Sequence, residues 1–89
     1  MADAIREYRL TDHAKFEMRR RQISETEVAL VLKSPQQVKT VREGRKIYQS
    51  IFETEEPTKD YLIRVVVDID RSPPEVVTVY RTSKIDKYW

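Results

Sequence analysis

Apolar positions along the chain change their period once. Up to about residue 34 they recur at helical spacing, with Val28, Val31 and Leu32 on one face at about 100° per residue. From Val38 onward they alternate with a period of two, the signature of half-buried strands. The helical stretch is divided by its capping residues. Thr11 and Asp12 are N-cap types, and the following HAKFEMRRRQ has no Gly, Pro or β-branched residue to oppose a helix to about Gln22. Ser24, Glu25, Thr26 and Glu27 form a capping box, so a second helix begins at Glu25. Pro35 ends it after Lys33 or Ser34. Ahead of both, IREYRL at 5–10 alternates weakly and predicts a short strand.

In the second half, VKTVR at 38–42 and RKIYQSIFE at 45–53 predict a hairpin turning at Glu43 and Gly44. In the next strand Tyr61, Ile63, Val65, Val67 and Ile69 are expected to face the helices, leaving Leu62, Arg64, Val66 and Asp68 on the other surface. In the last, Val77 and Val79 point inward and Val76, Thr78, Tyr80 and Thr82 outward, which leaves Val66 and Val76 exposed. RSPP at 71–74 is a turn, and the acidic stretch from Glu53 to Asp60 is a solvated hairpin loop. The predicted fold is α+β: a small antiparallel sheet of about four strands with an N-terminal helical hairpin packed on one face. No repeat or Gly/Ser linker divides residues 1–89, which read as a single domain.

Composition narrows the chemistry. The absence of cysteine excludes disulfides, iron–sulfur clusters and thiol nucleophiles, and a single histidine excludes sites built from several. Any catalysis is therefore expected to be acid–base and electrostatic, with no cofactor. Asp68, Asp70 and Glu75 could suggest a metal, but Asp70 leads into the RSPP turn as a turn initiator does, so no metal is assigned. Net charge is only +2, yet ten of the seventeen basic residues are arginine, suited to bidentate phosphate contacts. Residues 13–22, 39–46 and 81–89 are basic against the acidic 53–60, which fits an anionic ligand on one side. No run approaches the roughly 18 apolar residues of a membrane span, and the N-terminus lacks an apolar core, so the expected location is cytoplasmic.

Three groups of residues could act on such a ligand. On the first helix His13, Glu17, Arg20 and Arg21 share one arc, joining an imidazole, a carboxylate and two guanidiniums. The same pattern is also that of an ordinary helix salt-bridge face. On the open sheet face Arg64 and Tyr80, with Tyr48 as a further candidate, join Thr78 and Thr82 as a phosphate and base platform, although Tyr and Thr are also good strand formers. Arg64 sits amid the apolar run YLIRVVVD, where a charge snorkels, pairs with an acid such as Asp68, or serves a ligand. At the C-terminus Arg81, Lys84, Lys87, Tyr88 and Trp89 interleave cations with aromatics, which suits single-stranded RNA and also suits capping of the core edge.

Thr11-Asp12-His13-Ala14, Arg20-Arg21-Gln22-Ile23-Ser24, Val28 to Pro35, IYQS, LIRVVVD and VVTVYRTSKIDKY together resemble the family DUF4258, over roughly residues 8–88. That family is placed with the BrnT and RelE/ParE-like toxins of bacterial toxin–antitoxin pairs. The resemblance implies a metal-independent endoribonuclease that cleaves mRNA, often on the ribosome, and is neutralised by an antitoxin protein. It further implies His13 as acid or base, Arg21, Arg64 and Arg81 as phosphate holders, and Tyr80 or Tyr88 as a stacking or proton-donating partner. Arg20, Tyr48, Lys84 and Lys87 would add RNA contacts. Two rivals stand beside this: a non-catalytic module gripping RNA or protein through the same Arg/Tyr face, and a regulatory partner whose sheet face another chain covers.

Overall fold

A computed structural model describes residues 4–53 and 59–89. Most of the acidic connection expected as a hairpin loop lies outside them. The elements are β1 (Arg9–Leu10), α1 (Asp12–Arg20), α2 (Glu25–Lys33), β2 (Gln37–Arg42), β3 (Arg45–Phe52), β4 (Tyr61–Asp68), β5 (Glu75–Thr82) and α3 (Ile85–Tyr88). The fold is α+β, with a five-stranded mixed sheet in the order β1-β5-β4-β3-β2. Among the described residues no helix is long and apolar enough to cross a membrane.

Both helix starts follow their caps. Thr11 Oγ accepts from the Ala14 amide at 3.1 Å, and the box at α2 is reciprocal: Ser24 Oγ accepts from Glu27 N while Glu27 Oε1 accepts from Ser24 N, each at 3.0 Å. α1 stops earlier than Gln22, because that residue adopts a left-handed φ of 57°. The Ile23 amide then reaches back to Met18 O at 2.8 Å and the Gln22 amide to Arg19 O at 3.3 Å. This is a Schellman closure without its usual glycine, and it swings Ile23 into the core.

α1 packs on β5, and α2 on β3 and β4. Ala14, Met18, Ile23, Val28, Val31 and Leu32 thereby meet Tyr48, Ile63, Val65, Val67, Val76 and Val79. Full burial of such side chains contributes about 1.5–3 kcal/mol each. At the β2–β3 turn Gly44 has φ 88°, and a Cβ there would lie 2.6 Å from Asp70 Oδ2, so the turn requires glycine.

Four expectations are corrected. The N-terminal strand shrinks to Arg9–Leu10 and runs parallel to β5, making the sheet mixed. Residue Ile5 instead donates its amide to Leu32 O at 2.8 Å, tying the chain start to the end of α2. β5 carries a bulge: Val66 pairs with Thr78 and Val67 with Val76, leaving Val77 over. The extra residue turns Val76 into the core, so Val76 rather than Val77 faces the helices and neither Val66 nor Val76 is exposed. Tyr48 pairs with Val65 and shares its face, so it is a core residue at 3% exposure instead of part of the open surface. Finally, that surface is not open, because the one-turn helix α3, absent from the sequence reading, lies across it.

Candidate functional site

The sheet face turned away from α1 and α2 carries one row of polar side chains that runs across it. Register places Gln37 of β2, Gln49 of β3, Arg64 of β4 and Tyr80 of β5 side by side. Their side chains are bonded in sequence across four strands. Gln49 Nε2 donates to Gln37 Oε1 at 2.6 Å, Arg64 Nε donates to Gln49 Oε1 at 2.8 Å, and Arg64 Nη1 donates to the Tyr80 hydroxyl. Neighbouring rows are aliphatic on β3 and β4, with Ile47 and Val66 on one side and Ile51 and Leu62 on the other.

α3 closes the row from above. The Tyr88 ring centroid is 4.4 Å from Arg64 Cζ and stands edge-on to Tyr80 at 5.9 Å. The Tyr88 carbonyl accepts from Lys39 Nζ and, at 3.2 Å, from Gln49 Nε2. Arg64 is left 7% exposed, between two aromatic rings. Among the described residues no carboxylate pairs with it. A buried cation without a counter-ion costs several kcal/mol of desolvation, and here two hydrogen bonds and two π faces offset part of that. Among the described residues no fully buried side-chain polar atom lacks a partner, and Nη2 takes part in none of these bonds, so Nη2 keeps some exposure to solvent.

Arg21, at the C-cap of α1, flanks the row with its Cζ 5.8 Å from the Tyr80 centroid. Glu17 holds it: Arg21 Nε donates to Glu17 Oε1 at 2.8 Å, and Arg20 Nη1 donates to the same oxygen at 3.0 Å. The hydrogen bond from Arg21 lowers the Glu17 pKa, so this carboxylate stays ionised and is a weak base. The expected salt-bridge face on α1 is thus present, and it serves to aim Arg21.

The structure therefore joins Arg21, Arg64, Tyr80 and Tyr88, and separates others from them. His13 is exposed, and its side chain makes no ion pair or hydrogen bond among the described residues. Eight residues of helical rise put it roughly 12 Å along α1 from Arg21. Arg81 follows Tyr80 in the strand and so points to the opposite face. There its Cζ lies 4.2 Å from the Tyr61 centroid and Nη1 donates to Gln22 O at 3.4 Å. Tyr61 in turn donates its hydroxyl to Glu27 Oε2 at 2.8 Å; burial, then that hydrogen bond, raises its pKa. Lys84 and Lys87 are exposed around α3, with Lys87 Nζ 5.4 Å from the Tyr88 centroid. Tyr48 is in the core and not on this face. Among the described residues no group of acids or His gathers as a metal site; Asp68 is instead bidentate with Arg45, at 2.6 and 3.1 Å.

Sequence reasoning missed Gln37, Lys39 and Gln49. Gln49 carried a signal, since it is a polar side chain between Ile47 and Ile51 on the same strand face. Its pairing with Gln37 follows the hairpin at Gly44, whereas its pairing with Arg64 is set by the β3–β4 register.

These features define a small α+β domain built around a buried arginine–tyrosine row. Residues 10–81 match the model of a domain of unknown function, DUF4258, and the chain belongs to that family. The matched span ends at Arg81, before α3. Comparison with curated proteins and with solved structures gave no match.

Proposed function

We propose that this chain is a toxin of the RelE/BrnT kind, a metal-independent endoribonuclease acting on mRNA, with the strand of RNA laid over the Arg64 face. Arg64 is the observation on which this rests. An arginine that is buried, fixed by Gln49 and Tyr80, unpaired with any acid and left with Nη2 toward solvent is a preformed place for an anion. Arg21, aimed at the same tyrosine, supplies a second cation. The flanking tyrosine rings and the exposed Lys84 and Lys87 add stacking and backbone charge, the combination that holds single-stranded RNA.

In such a site the ribose 2′-oxygen attacks the adjacent phosphorus and the 5′-oxygen leaves. The 2′-hydroxyl proton passes to a base, and an acid protonates the leaving oxygen. Arg64 and Arg21 would stabilise the charge gathering on the phosphoryl oxygens. The hydroxyls of Tyr80 and Tyr88 are the proton-bearing groups beside them. The neutralising antitoxin protein and action on the ribosome belong to this reading as its expected partners.

The separation of His13 from Arg21 favours a second reading, a module that grips RNA without cutting it. Labelled single-stranded RNA incubated in EDTA, alone and on ribosomes, separates the two. Cleavage leaving 2′,3′-cyclic phosphate ends, lost in Tyr80→Phe and strongly reduced in Arg64→Lys, supports the nuclease. Binding without cleavage under both conditions leaves the module, and absence of both defeats the RNA assignment.

A further inference from the structure

The surface of α1 opposite the sheet has no part in the Arg64 site, and its composition is unusual for a solvated helix face. Ala14 and Met18 fix the buried side, and Phe16 lies half a helical turn away at 52% exposure. The side chains of Lys15 and Arg19, one turn apart on the exposed surface beside it, form no ion pair or hydrogen bond among the described residues. Of the helix's two carboxylates, Glu17 is committed to Arg20 and Arg21, and Asp12 in the first turn forms no ion pair with either cation, which leaves a net positive face.

Next to these residues the surface dips. A groove of about 320 Å³ is lined by Lys15, Met18, Arg19, Ile23 and Glu25. Met18 and Ile23, both nearly buried, give it an apolar floor. Lys15 and Arg19 supply cations on the α1 side, and Glu25 comes from the first turn of α2, with no ion pair joining it to either cation. The Schellman closure creates the dip, since it turns Ile23 under the end of α1 before α2 departs.

We infer that this groove and Phe16 form a docking surface for a short acidic peptide segment of a partner protein, one that inserts an apolar side chain between the helices. An aliphatic floor selects an aliphatic or aromatic anchor, and Phe16 extends the apolar contact beyond the groove. Unpaired Lys15 and Arg19 select carboxylates beside that anchor. Glu25 repels them at the other end, so the segment lies with its acidic part toward α1. Nucleic acid fits this less well, since the floor offers no planar group for a base to stack on.

The test is selection from a phage-displayed library of random twelve-residue peptides on the full chain, followed by fluorescence anisotropy with the enriched sequences. Expected sequences carry Asp or Glu next to Leu, Met or Phe. Their affinity should fall about tenfold or more in the double variant Lys15→Glu, Arg19→Glu, and several-fold in Phe16→Ala. All three residues are exposed, so circular dichroism melts should match the parent and show that folding is intact. The inference is overturned by failure to enrich any sequence, by enriched sequences lacking acids, by equal binding to the variants, or by displacement of the peptides by single-stranded RNA. Apart from displacement by RNA, these results leave activity at the Arg64 face untouched.

Discussion

Arg64 shows how one residue can be costly for stability and useful for function. Its Nε depends on Gln49, which is itself fully buried and bonded on three sides. Gln49→Leu removes the acceptor while keeping the volume, and should destabilise the chain by about 1–3 kcal/mol, measured as a shift in urea midpoint. Gln22 is a second costly position, with its left-handed φ of 57°. Gln22→Gly relieves that strain and keeps the backbone carbonyl that Arg81 uses; a gain of about 0.5–1 kcal/mol in thermal or urea denaturation is expected. Asp68 gives a pH dependence of definite sign. Hydrogen bonding from Arg45 lowers its pKa, so the pair's contribution is complete above the unfolded value near 4 and is lost as pH falls through the folded value. Asp68→Asn should therefore be less stable at neutral pH and show a shallower loss as pH falls below about 4, in urea titrations at stepped pH.

At the scale of elements, stability is uneven. α1 and α2 are capped and bury one face each, whereas α3 has no side-chain N-cap and no fully buried residue. Its identified anchors are the Tyr88 carbonyl, held by Lys39 and Gln49, and the contact of the Tyr88 ring with Arg64 and Tyr80. Such an element opens before the domain unfolds. Trp89 is the sole tryptophan and adjoins Tyr88, so it reports that opening. Acrylamide quenching of Trp89 should rise at lower urea than the loss of far-UV circular dichroism, and Lys39→Ala should widen the gap. Coincident transitions would show that α3 is part of the cooperative core. The same contrast explains what was legible in the sequence. Caps at Thr11 and Ser24, the Gly44 turn and the inward set Ile63, Val65 and Val67 depend on neighbours within a few residues, and they held. The bulge at Val77, the parallel pairing of β1, the inward turn of Tyr48 and the docking of α3 depend on partners distant in sequence, and no local pattern encodes them.

For the molecule as a whole, the number and placement of cations decide what the Arg64 face can hold. The net charge of +2 is too small to attract RNA at long range, so any affinity must come from cations gathered at one place. Arg64, Arg21, Lys84 and Lys87 are the basic side chains of the row and of α3 around it. Each phosphate neutralised on a single strand contributes about −0.7 to the slope of log K against log salt. Engagement of all four predicts a slope near −3, and Lys84→Ala with Lys87→Ala should make it shallower by about 1.4 while leaving the fold unchanged. A protein partner that covers the Tyr80 and Tyr88 rings without pairing these cations would instead show a slope near zero. Titration of single-stranded RNA by fluorescence anisotropy at stepped salt measures the slope directly. A steep slope in the parent that the lysine substitutions fail to reduce would place the RNA elsewhere, on the exposed cations of α1, and would remove Arg64 from the site.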